Sequence, residues 1–332
     1  MSRANDREFS DFVDAVVQAL LVAAKHNITQ ATADLFPQTN VFGEDNKDIF
    51  RNVLRAVGNY HEMCDRSMGV LCPTDGMRAF NDGSTGLLYY HPWGGITSTF
   101  RDAEASPLGP SLEGVLQQGV VRCGVRTQNR PGFATRHPAS ANGTNTSLLE
   151  GFEIDLCRAV ASSLFQGWSA EHVEYVELDS QRDGFVKLAN GQVDVVAGAT
   201  RTLENDVREP ATGLGFAFTM PYFYGYSEDE DNLCLVTMQD ENDWYSFVYS
   251  VFEATIYAED FGIQDDTSNR MPELYFFGEQ FHRMFRDAIL AVGSYKDIYE
   301  RNLEPFHPRG GRNVLNKVPN EGGQHYIVPG YI

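Results

Sequence analysis

The sequence predicts an α/β protein, with a central stretch of alternating strands and helices flanked on each side by helical segments that repeat one another. Three observations carry this. Residues from Arg7 to Asn81 match those from Asn242 to Asn316 at a constant offset of 235 positions, without a gap and with about 21 identities. Between the two copies, β-branched runs alternate with amphipathic runs of about ten residues, the rhythm of strand–helix–strand units around a mostly parallel sheet. The chain has 332 residues, 42% of them hydrophobic, so it can bury a substantial core, which excludes disorder, collagen and coiled coil as its main class.

The first copy opens with Phe9, Phe12, Val13, Val16, Ala19 and Ala23, the stripe of one amphipathic helix. A second helix carries Phe50, Val53, Leu54 and Val57, and Gly58 follows where a helix C-cap favours glycine. Asn59 and Glu62 then open a third helix with an N-cap and an acidic N3 residue. The second copy repeats each signal: Trp244, Phe247, Val248, Val251, Ala254 and Ala258 up to Gly262, then Phe285 to Gly293, then Ser294 with Asp297. Capping and packing are the repeated chemistry, and neither copy presents a catalytic constellation.

In the middle, Val120–Val125 reads as a strand, Phe152–Leu164 as a helix, Val173–Val176 as a strand and Ser180–Ala189 as a helix. Asn190-Gly191 leads into a further strand at Val193–Val196. The organisation is thus 1–107 (copy A), 108–241 (α/β core) and 242–332 (copy B).

Charge and composition exclude several functions. With 46 acidic against 26 basic residues the formal charge is -20, which repels nucleic acid. The most apolar stretch, Val13–Ala24, is broken by Asp14 and Gln18, so no membrane span is expected. No basic and apolar leader opens the chain, so any secretory signal is expected to have been removed or to lie beyond it. Five cysteines without zinc spacing leave disulfides or buried thiols, and Cys64 and Cys72 are close enough in sequence for a local bridge. The sequons at Asn27, Asn142 and Asn145 fit either a glycosylated secreted protein or plain surface loops. The acidic run Ser227–Asn232, with Asp240, Glu241 and Asp243, reads as a solvated turn, since it lacks the ligand order of a calcium loop. No HExxH, GxSxG, GxxxxGK[ST] or GxGxxG motif occurs, so no enzyme activity, cofactor or metal is expected.

The run Gly151-Phe152-Glu153-Ile154-Asp155-Leu156-Cys157-Arg158-Ala159-Val160-Ala161 resembles the extracellular solute-binding proteins of polar amino-acid ABC transporters, solute-binding protein family 3. Val121–Val125, Leu188–Val195, the turn at Thr200, Thr202 and Leu203, the stretch Ala291–Leu303 and the tail Gly322–Pro329 resemble further segments of that family in the same order, over residues 112–332. The resemblance implies one lobe of a type 2 periplasmic-binding-protein fold and a disulfide between Cys123 and Cys157. It also implies a ligand site around Phe133, Thr200 and Thr202, for a free amino acid or small peptide. The family's ligand-carboxylate arginine falls on Asn205 here, with Arg208 and Arg201 the nearest cations and neither in register.

The stretch in which family members cross to a second lobe and return about 100 residues later is as short here as Ser227–Asn232. Half a site and a spare helical copy lead to the expectation of a secreted, or if bacterial periplasmic, non-enzymatic assembly protein. In that reading a degenerate lobe serves as a building block, copy A packs on a neighbouring core, and homo-oligomers or filaments result. The alternative reading is an amino-acid or small-peptide binding protein.

Overall fold

The computed structural model describes residues 7–39, 41–69, 112–137, 149–206, 214–225, 232–275, 277–318 and 321–325. The chain divides into two units, Met1–Arg101 with Arg201–Phe216, and Asp102–Thr200 with Ala217–Ile332.

The first unit is helical. Helix α1 (Arg7–Lys25), α2 (Ile49–Val57) and α3 (Tyr60–Met68) surround a small core in which Ala15, Ala19 and Ala23 meet Phe36, Phe50 and Leu54. Alanines every four residues give α1 a flat face against which the phenylalanines close, and the ring of Phe42 stands edge-on to Phe12 at 5.3 Å. A 3-10 turn at Gln30–Leu35 is tied to the later helices where the Gln30 amide nitrogen donates to the Arg55 carbonyl at 2.7 Å.

The second unit holds the sheet. Helix α4 (Leu112–Gln118) leads into β1 (Val121–Val125), and two short strands, β2 (Thr135–Arg136) and β3 (Leu149–Glu150), pair antiparallel. Then follow α5 (Phe152–Leu164), β4 (Val173–Glu177), α6 (Gln181–Ala189) and β5 (Val195–Thr200). Strands β6 (Phe216–Phe218) and β7 (Leu233–Met238) complete a five-stranded sheet of order β4-β1-β5-β7-β6, with β1 parallel to β4 and β5 and β7 antiparallel to β5. Helices α7 (Asn242–Asp260), α8 (Met284–Val292) and α9 (Tyr295–Asn302) pack with α5 on this sheet around Trp244, Phe247, Phe252 and Phe285. The indole of Trp244 donates to the Asp194 carbonyl at 2.7 Å.

One expectation about a strand is corrected. The strand expected at 193–196 starts at Val195 and runs to Thr200. Asp194 instead takes the Arg122 backbone N–H at 2.7 Å and its guanidinium at 2.6 Å, a polar anchor at the strand entrance. Strand β7 is preceded by an isolated bridge between Phe223 and Leu233.

The two helical segments carry the same elements at the same offset. Helix α1 maps on α7, α2 on α8, and the 3-10 turn Gln30–Leu35 on Asp265–Arg270, each at the same offset of 235 positions. Gly58 and Gly293 cap α2 and α8 at φ 77° and 82°, and a Cβ there would lie 2.7 Å from the Glu62 carboxylate or 2.8 Å from the Asp297 Cβ, so glycine is required in both copies. Asn59 with Glu62 and Ser294 with Asp297 form reciprocal capping boxes. Arg66 and Arg301 each donate back to the preceding helix, to the Val57 and Val292 carbonyls.

Burial separates the copies. Trp244, Val248, Phe252 and Leu303 are buried against the sheet and α5, whereas their counterparts Phe9, Val13, Val17 and Met68 are 54%, 40%, 49% and 52% exposed. Phe9 and Val13, read from the sequence as part of an apolar stripe, are thus on the exposed side of α1.

Candidate functional site

The parallel strands β4, β1 and β5 end on one edge of the sheet. The chain leaves β1 toward β4 and then passes over to β5, so the sheet reverses its strand order beside β1, the place where open α/β sheets form a ligand crevice. In this unit that edge carries Arg126, Thr127, Arg130 and Phe133 from the loop after β1, Glu177 from β4 and Thr200 from β5. Arg126 bridges β1 to β5 by donating to the Gly198 carbonyl at 2.6 Å. Thr127 and Arg136 donate to Glu177 at 2.8 and 2.9 Å, and the threonine bond followed by the Arg136 charge holds this carboxyl below its usual range.

Behind the edge lies a buried polar cluster. Glu153, in the first turn of α5, is fully buried and meets the Arg130 Nη1 at 2.7 Å, while the Tyr222 hydroxyl donates to its Oε1 at 2.5 Å. A carboxylate in the first turn is also favoured by the helix dipole. Burial penalises the Arg130 cation, but Glu153 and Tyr222 together, through charge and hydrogen bonding, outweigh the penalty and raise its pKa. Burial, reinforced by Glu153, pushes the Tyr222 phenol well above its ordinary value, so it stays a hydrogen-bond donor. Phe133 is wholly buried, its ring 4.7 Å beneath the Arg130 guanidinium and edge-on to Phe223. It supports the loop from below.

The other residues singled out in the sequence fall as follows. Thr200 is half-buried and its carbonyl accepts from Gln181 at 3.1 Å. Thr202 and Asn205 cap each other, the Thr202 N–H donating to the Asn205 side chain at 2.7 Å, which commits Asn205 to the single helical turn Leu203–Asp206. Arg201 is held by Asp206 at 2.7 Å and by Asp14 at 3.1 Å. Cys123 and Cys157 are joined by a disulfide across β1 and α5, with Cα atoms 6.2 Å apart. Cys64 is disulfide-bonded to a partner outside the described residues, and Cys234 is a buried thiol. Asn27 is exposed at φ 54°. Arg208, Cys72, Asn142, Asn145 and 227–231 lie outside the described residues.

Sequence reasoning missed the Arg130–Glu153–Tyr222 cluster. Its members are 23 and 69 positions apart, and only the acidic residue inside the Gly151–Ala161 run hinted at it. A cavity of about 460 Å³ also opens between α5, α8 and α9, lined by Arg158, Gln264, Asp297 and Arg301, but Asp155 already takes both guanidiniums there, at 3.1 and 2.7 Å.

The sheet order and its helical cover are those of a periplasmic binding-protein lobe. A solved structure, an ABC transporter/periplasmic binding protein from Brucella ovis with glutathione bound, matches with a TM-score of 0.50 and 19% identity over 66% of this chain and 98% of that one. In sequence, the putative amino-acid ABC transporter-binding protein YhdW of Escherichia coli K12 is 31% identical over 123 residues, 37% of this chain and 31% of that protein. The general L-amino acid-binding periplasmic protein AapJ of Rhizobium johnstonii is 34% identical over 115 residues, 34% of this chain and 29% of that protein. No family model matches the chain. The chain's homologues are therefore amino-acid ABC transporter-binding proteins, as its resemblance to solute-binding protein family 3 implied, and the match covers about a third of their length.

These relationships overturn the expectation of an assembly protein built on a degenerate lobe. Both sequence relatives are named as binding proteins, and neither comparison brings support for filaments, self-association or glycosylation. No helix among the described residues is long and apolar enough to cross a membrane.

Proposed function

We propose that this chain is a non-enzymatic binding protein for a free amino acid or small peptide, working outside the cytoplasm, in the periplasm if the source is bacterial. The observation that carries this is its similarity to two relatives that are themselves named as amino-acid-binding proteins. The β4-β1-β5 edge, where such sheets take ligands, supports it. In this reading 108–241 is the core of one lobe, 242–332 completes it, and 1–107 is a second version of the completing segment. The second lobe of the family is reduced to the link before β7, and Phe133, Thr200, Thr202 and Arg208 are the residues that the resemblance nominates for the ligand.

A thermal-shift screen of the full chain against the twenty L-amino acids and a set of dipeptides tests the proposal. A ligand at a hundredfold excess over its Kd stabilises the native state by about 2.7 kcal/mol, and the melting temperature then rises by several degrees. If every ligand leaves it unmoved, the proposal is wrong.

A further inference from the structure

We propose that the cavity between α5, α8 and α9 binds a small organic cation, an alkylammonium or guanidinium group whose N–H donors close the open end of α8. The site shares no residue with the β4-β1-β5 edge and stands whatever ligand that edge takes.

The repeat shows what the cavity is missing. In the first copy Gln30 occupies the corresponding place. Its side-chain nitrogen donates to the Arg55 carbonyl at 2.7 Å and to the Ala56 carbonyl at 3.5 Å, and its backbone N–H donates to the Glu62 carboxylate at 2.8 Å. One residue thus supplies donors to the last carbonyls of α2 and to the capping acid of α3. At the offset of 235 positions, Gln30, Arg55, Ala56 and Glu62 become Asp265, Leu290, Ala291 and Asp297. A carboxylate in place of the amide has nothing to donate. The Asp265 side chain accepts from the Asp266 N–H at 2.8 Å instead, and among the described residues no backbone or side-chain donor meets the Leu290 and Ala291 carbonyls. The cavity of about 460 Å³ opens at this place, lined by Asp265, Asp297 and the last turn of α8. Helix-end carbonyls without an intrahelical partner are met by side chains, water or ligands.

Charge gives the class of ligand. On the α5 side, Asp155 takes Arg158 at 3.1 Å and Arg301 at 2.7 Å, and Arg301 also donates to the Val292 carbonyl at 3.0 Å. Asp155, Asp265 and Asp297 outnumber these two guanidiniums by one negative charge, and the carboxyl end of α8 adds the partial negative charge of a helix C-terminus. A monocation balances the site, and its N–H groups do for α8 what Gln30 does for α2. Leu290, 56% exposed, offers the aliphatic part of such a ligand an apolar surface. The formal charge of -20 on the whole chain raises the local concentration of cations.

The test titrates the full chain calorimetrically with butylammonium, methylguanidinium and tetramethylammonium, the last a cation without an N–H. The wild type is expected to bind the first two at one site and the third at least about tenfold more weakly, since a hydrogen bond to a charged group is worth about that factor or more. Asp265→Gln restores the donor that the first copy has and removes the charge, so it is expected to abolish binding while the melting temperature stays at or above that of the wild type. Asp265→Ala removes the charge but leaves the carbonyls open, and is expected to weaken binding about tenfold while keeping the preference for N–H cations. General attraction of cations to an acidic surface would treat the three alike and survive both substitutions. Equal binding of all three cations, binding of none, or wild-type affinity in Asp265→Gln would overturn the proposal. If Asp265→Gln fails to fold, Asp265→Ala decides, and unchanged affinity there overturns it.

Discussion

His325 is buried with its Nε2 3.1 Å from the Pro221 carbonyl, and burial first, then the Arg309 charge, lower its pKa from an ordinary 6.5 to about 3. A neutral native histidine that becomes protonated on unfolding makes the folded state weaker in acid. Its contribution is intact above pH 6.5 and is lost as the pH falls toward 3, by at most about 1.4 kcal/mol per pH unit. Chemical denaturation between pH 7 and 4 is expected to show that loss, and His325→Asn to flatten it. Asp194 gives a second residue-scale expectation. It is fully buried on the Arg122 guanidinium, so Asp194→Ala is expected to cost about 3 kcal/mol by urea denaturation. Residues like these were barely legible in the sequence. Asp194 interrupts a valine run and reads as noise in a strand pattern, and the partner of Arg130 is far away along the chain. Burial and long-range pairing leave no periodic trace.

At the scale of elements, the sequence is a good guide wherever the signal is local. The helix ends at Gly58 and Gly293, the capping boxes after them and the helix at Phe152–Leu164 all follow from nearby residues. Ser294→Ala and Asn59→Ala are each expected to cost about 1 kcal/mol in thermal unfolding. Strand β5 was misplaced because Ala197, Gly198 and Ala199 carry weak strand propensity, and because its register shifts at Gly198, a β-bulge that no residue pattern announces. The outward stripe of α1 shows a different limit. Periodicity tells which face of a helix is apolar but not whether another layer covers it. Val13→Asp is therefore expected to change stability by no more than about 0.5 kcal/mol, while the matching Val248→Asp buries a charge and is expected to cost more than about 4 kcal/mol. Equal losses at the two positions would show that α1 is covered in solution.

For the whole molecule, the α/β class and the helical segments on either side could be read from strand–helix alternation and from the repeat at 235 positions. The candidate site edge could not, since it is made by strands distant in sequence that end side by side. The disulfide between Cys123 and Cys157 ties β1 to α5, whose first turn carries Glu153. Its reduction is expected to lower the melting temperature, and to weaken ligand binding as Glu153 loosens. Net charge argues against nucleic acid, and the proposed ligand class rests on the names of the relatives. The central claim is that this chain binds an amino acid or small peptide, and equilibrium titration of the purified full chain in a calorimeter tests it most directly. Saturable heat at one site per chain for at least one such ligand is the expected result, and the absence of heat across the whole set would contradict it.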